Sequence, residues 1–208
     1  MIPPQRRLRI FLTWAALAAV MSAPVLIAAA SPYLAYRNAA YIIGGFAGII
    51  ALALLVIQPL LAAGYLPGAS LLAERRWHRR TGAAIAVCVA LHVGGLYVTS
   101  PPDTLDALLL VAPTPFSVYG VLAMWGIVAT VILVMLRRRT GLAHATWRIV
   151  HNVLAAIVVV ATVIHALQIE GAMEVYSKWL LCLAALAATA AALTGLRVIR
   201  PLLRRRKT

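Results

Sequence analysis

The sequence predicts an all-α integral membrane protein, a bundle of six transmembrane helices. Three observations carry that expectation. Apolar residues make up 63% of the 208 and charged residues only 12%, where a soluble domain carries roughly a quarter. The mean hydropathy is +0.94. The apolar residues fall into six runs of about 20, the length of helix that crosses a hydrocarbon core of roughly 30 Å.

The apolar cores run over Ile10–Ala30, Ala40–Ala63, Gly82–Thr99, Val118–Leu136, Ile149–Leu167 and Trp179–Ile199. With their polar ends included, the spans are 10–30, 40–63, 78–99, 118–136, 147–168 and 177–199, and a single domain covers 1–208. Loop chemistry separates them: Ser31-Pro32, Pro67-Gly68, Pro101-Pro102, Pro113-Thr114-Pro115, Thr140-Gly141 and Glu170-Gly171. Ahead of the first span, Arg6, Arg7 and Arg9 resemble the start of a signal peptide, with Ala28-Ala29-Ala30-Ser31 as its cleavage site. The apolar run between them exceeds the 7–15 or so residues of a signal core, which favours a retained helix.

The formal net charge of +14 would suit nucleic acid, but the basic residues sit in clusters between apolar runs, not along one polar face. Nucleic acid is therefore not expected as a partner; membrane lipid is. Arg6, Arg7 and Arg9 precede the first span. Arg75, Arg76, Arg79 and Arg80 lie between the second and third, and Arg137, Arg138, Arg139 and Arg148 between the fourth and fifth. Arg197, Arg200, Arg204, Arg205, Arg206 and Lys207 end the chain. Of 19 basic residues, only Arg37 and Lys178 fall on the other side, together with every acid but Glu74. The positive-inside rule places both termini in the cytoplasm. Cys88 and Cys182 lie in apolar stretches without metal-ligand spacing and read as packing residues.

Of the five histidines, His144 lies in a basic loop. The other four form two pairs of equal spacing, His78 with His92 on the third span and His151 with His165 on the fifth. Fourteen residues turn roughly 1400°, about 40° short of four turns, so each pair shares one helix face about 21 Å apart. The two spans run the same way. His78 and His151 therefore share one depth, His92 and His165 another. Facing histidines at two depths are what two stacked bis-histidine haems require. Ionisable groups inside a span default to function.

The surroundings agree with that reading. Arg79 and Arg148, with Arg75, Arg76 and Arg80, suit haem propionates as well as topology. Gly82, Gly94 and Gly95 would let a flat ring approach the backbone or are ordinary helix glycines. Val87, Val89, Ile157 and Val158 would keep the space between the pairs dry. Trp77, Trp147 and Trp179 lie at interface depth, as an aromatic belt does. The loop 101–116 reads as a plain connection.

Trp77-His78-Arg79-Arg80-Thr81-Gly82, Ala90-Leu91-His92, Trp147-Arg148-Ile149-Val150-His151-Asn152 and Val163-Ile164-His165 together resemble the ferric reductase-like transmembrane domain. That superfamily includes ferric reductases, NADPH oxidases and the haem-binding membrane subunit of a bacterial methionine sulfoxide reductase system. The resemblance implies a bacterial plasma-membrane protein with two b-type haems, whose axial ligands are His78, His92, His151 and His165. The sulfoxide reductase subunit has arginine where this chain has His78, so the two-haem members are the better match. Only Pro201–Thr208 follows the last span, and no glycine-rich dinucleotide motif is present. No flavin or NAD is therefore expected on this chain. A separate flavin reductase or a quinone would supply electrons, and a periplasmic redox partner, oxygen or ferric iron would accept them. The alternative from a different class is a histidine-based metal or proton transporter, but the spans carry neither paired carboxylates nor matched broken helices.

Overall fold

The computed structural model describes residues 3–199, and the described residues are helical throughout apart from turns and loops. Helix α1 spans Pro4–Ala29, and a single 3-10 turn, Pro32–Leu34, leads into α2, Ala39–Ala63. Then come α3 (Leu71–Thr99), a short α4 (Pro101–Leu108), α5 (Pro115–Met135), α6 (His144–Gln168) and α7 (Val175–Thr194). A π-helical turn, Gly195–Ile199, extends α7. Six of these helices are long and apolar enough to cross a membrane, α4 being the exception. Large apolar side chains stand exposed along all six, among them Phe11, Ile43, Val87, Trp125, Ile157 and Leu183. In lipid such a surface is solvated.

Local chemistry sets the helix ends. Asn38 caps α2 by accepting from Tyr41 N (2.8 Å), and Ser70 caps α3 by accepting from Ala73 N (3.2 Å). Glu174 caps α7 with both carboxylate oxygens, accepting from Tyr176 N and Ser177 N at 2.9 Å each. Gly64, at φ 69°, ends α2 in the left-handed conformation that glycine adopts without strain. Pro24 and Pro59 lie inside α1 and α2; neighbouring helices in a membrane tolerate such prolines.

Two elements depart from the sequence reading. Helix α3 begins at Leu71, so Arg75, Arg76, Arg79 and Arg80 ride on its first turns instead of a loop. Arginine is a good helix former, so the helix continues past the end of its apolar stretch. The connection 101–116 contains α4, which starts on two prolines suited to a first turn. Arg200, Arg204, Arg205, Arg206 and Lys207 lie outside the described residues.

Helix α2 is the hub, lying against α1, α3 and α7, while α5 packs on α6. The core joins Leu52, Ala53, Leu55 and Val56 of α2 to Ile85 of α3, Val158, Val159 and Val163 of α6, and Leu181, Cys182 and Ala185 of α7. Glycines let α2 and α3 touch: a Cβ on Gly95 would stand 2.6 Å from Ala40 O and 2.8 Å from Gly44 Cα. By contrast, α3 and α6 are not close backbone neighbours. Each leans mainly on its own partner, α3 on α2 and α6 on α5.

Candidate functional site

The four histidines face one another in pairs, one of each pair from α3 and one from α6. The His78 and His151 ring centres are 6.3 Å apart at the arginine-rich end. Those of His92 and His165 are also 6.3 Å apart, toward the opposite end. Ile85 and Val158 are the midpoints of the two fourteen-residue intervals; both are 4% exposed and sit in the core. The two pairs thus have a dry apolar layer between them. Val158 fits its expected role, whereas Val87 turns outward at 59% exposure.

Three of the four imidazoles are fixed the same way. His92 Nδ1 bonds Gly44 O of α2 (2.8 Å), His165 Nδ1 bonds Phe116 O of α5 (2.7 Å), and His78 Nδ1 bonds Gln58 O of α2 (3.1 Å). A carbonyl oxygen only accepts, so each Nδ1 carries the proton and donates, and Nε2 keeps its lone pair. This is the tautomer that binds a metal through Nε2 with the other nitrogen held by an outer partner. Gln58 adds a second hold: its Nε2 donates to His78 O (3.0 Å), and its Oε1 accepts from Thr81 Oγ1.

The His92 and His165 rings also lie on glycines. A Cβ at Gly48 would come 2.8 Å from His92 Nδ1, and one at Gly120 would come 2.7 Å from His165 Nδ1. Each glycine is one turn beyond the carbonyl that anchors the ring, Gly44 and Phe116 respectively. These are the glycines that make room at the site, and the sequence reading looked elsewhere. Gly82 faces Gln58 Nε2 at 3.0 Å, Gly95 faces α2, and Gly94 faces open space. Gly48 and Gly120 sit in other helices than the histidines, so sequence proximity gave no signal.

His151 differs. Its Nδ1 is buried and has no hydrogen-bond partner. Instead Trp147, one turn earlier on α6, stacks on the ring at 5.1 Å with planes 7° apart. Trp147 therefore does more than line an interface; Trp77 packs edge-on against Trp14 at 5.9 Å. Arg79 and Arg148 lie exposed at the same end, as does His144, whose Nδ1 is 2.9 Å from Arg137 Nη2. Among the described residues, no three His, Cys, Asp or Glu side chains gather as a bare metal site would require.

The residues present fit haem. An imidazole nitrogen sits about 2.0–2.1 Å from a first-row metal. The ring centre lies roughly 1.1 Å behind that nitrogen, so two axial imidazoles on one iron put their centres roughly 6.4 Å apart. Both pairs match that spacing.

Fold and geometry define a multi-pass helical membrane protein with paired histidines at two depths. The family described as "Ferric reductase like transmembrane component" matches residues 47–162, more than half of the chain. The chain belongs to this family, whose domain points to transmembrane electron transfer. The match includes His78, His92 and His151; His165 lies three residues beyond it. No curated protein and no solved structure matches the chain.

Proposed function

We propose that the chain is a transmembrane electron-transfer protein holding two b haems, one between His78 and His151 and one between His92 and His165. The single observation that carries this reading is the repeated 6.3 Å spacing of facing imidazoles. When bound, haem supplies one-electron ferric–ferrous chemistry. The chain's own residues do the rest. Backbone carbonyls of Gly44, Gln58 and Phe116 orient three ligands, and Ile85 with Val158 excludes water between the sites. Arg79 and Arg148, exposed at the same end as the His78–His151 pair, would suit haem propionates.

Electrons enter from a cytoplasmic flavoprotein or a quinone and leave to an acceptor on the outer side, such as ferric iron, oxygen or a periplasmic redox protein. The whole of 1–208 acts as one domain in a bacterial plasma membrane, with both termini cytoplasmic and anionic lipid at the basic surface. The test is a dithionite-reduced minus oxidised spectrum of the purified full chain, with haem quantified. About two b haems per chain are expected, one lost in H92A or H165A and the other in H78A or H151A. A haem-free protein from haem-replete cells would sink this reading and leave histidine-based metal or proton transport.

A further inference from the structure

The carbonyl anchors obey a register that the fourth histidine breaks. Helices α2 and α3 run antiparallel, and Gly44 meets His92 as Gln58, fourteen residues on, meets His78. Helices α5 and α6 repeat this with Phe116 and His165. Fourteen residues after Phe116 is Thr130, whose carbonyl is the acceptor that the register offers His151. His151 Nδ1 nevertheless has no partner, and the Thr130 hydroxyl turns back to donate to Gly126 O (2.8 Å). What holds the His151 ring is Trp147. The indole is in turn tied at two points: its Nε1 donates to Leu133 O of α5 (3.3 Å), and the Arg137 guanidinium lies 4.5 Å from its ring centre.

Resting on the haem reading above, we infer that Trp147 is the positioning residue for His151, holding by ring stacking the one axial ligand that lacks a backbone anchor. Two consequences follow for the chemistry of the site. A histidine that donates through Nδ1 to a carbonyl is a more basic ligand, which favours the ferric state. His151 lacks that support, so the haem at the arginine-rich end is held by one strong and one weaker ligand. Second, the orientation of His151 depends on a side chain that can be replaced, whereas the other three depend on the main chain. Trp147 thereby ties this ligand to α5 and to Arg137 at the basic surface.

The experiment compares the parent chain with W147F and W147L, each purified with haem, by redox titration, low-temperature electron paramagnetic resonance and carbon monoxide binding. The signal missing from H78A identifies the site. In W147L, the low-spin signal of that site should fall at least several-fold, its potential should rise, and its reduced form should bind carbon monoxide. The His92–His165 haem should stay unchanged and serves as the control for folding. W147F keeps an aromatic face for the imidazole but loses the fused ring and the N–H donor to Leu133 O, so it should fall between the parent and W147L. Two unaltered low-spin haems in W147L would overturn this inference alone, leaving the two-haem reading intact. So would loss of both haems together, or a W147F as impaired as W147L. A parent without haem would overturn both readings.

Discussion

At the scale of single residues, the site depends on groups with no side chain as much as on the histidines. Gly48 and Gly120 lie under the His92 and His165 rings, and a methyl group at either would stand 2.8 or 2.7 Å from the imidazole. Nothing at those positions is flexible enough to yield except the ring itself. G48A and G120A are therefore expected to reduce haem from about two per chain to about one, with the His78–His151 signal intact. Haem quantification beside the spectrum checks this. Substitution at Gly94, where a Cβ meets nothing, should change neither haem nor signal. The histidines themselves were legible in the sequence because two equal intervals on parallel spans leave few alternatives. The glycines were not: each acts on a ring in another helix, a relation fixed by the α2–α3 and α5–α6 registers.

At the scale of elements, the connection between α2 and α3 hangs on one carboxylate. Glu74, the single acid on the basic side, is 2% exposed in the first turn of α3, and its Oε1 accepts from Leu66 N (3.0 Å). A carboxylate there also suits the positive end of the helix. E74A strands a buried N–H, an effect of roughly 1–3 kcal/mol. Its thermal midpoint in detergent should fall clearly, with E74Q between it and the parent. Gly95 makes a parallel case: G95A drives a Cβ onto the Ala40 carbonyl, and overpacking of this kind costs about 1–3 kcal/mol. The number of spans followed from hydropathy alone, but α4 did not. Helix starts did not: α3 and α6 begin ahead of their apolar cores, because capping and propensity, and not the lipid boundary, decide where a helix starts.

At the scale of the whole molecule, the asymmetry of charge decides how the bundle sits. Arg75, Arg76, Arg79, Arg80, Arg137 and Arg148 share one end with the His78–His151 pair. Single cysteines placed at Gly141 and at Asp106, in a chain lacking Cys88 and Cys182, should label oppositely with an impermeant thiol reagent on intact cells. Position 106 is expected to react and position 141 only after permeabilisation; the reverse would put the His78–His151 pair at the outer face. The bundle and the pairing of histidines across it could be anticipated from periodicity. That α3 leans on α2 and α6 on α5 could not, since it depends on which faces pack.

The recurrence of one anchoring arrangement has a wider consequence. Gly44 and Gly48 correspond to Phe116 and Gly120 at a step of 72, while His78 and His92 correspond to His151 and His165 at a step of 73. Each of α2 and α3 therefore has a counterpart running in the same direction, the relation that an internal duplication about the membrane normal produces. Seen this way, α2–α3 and α5–α6 are two helical hairpins of like design, and each facing pair draws one histidine from each hairpin. The two hairpins part at the second anchor, Gln58 against Thr130: His78 has a carbonyl partner there and His151 has none.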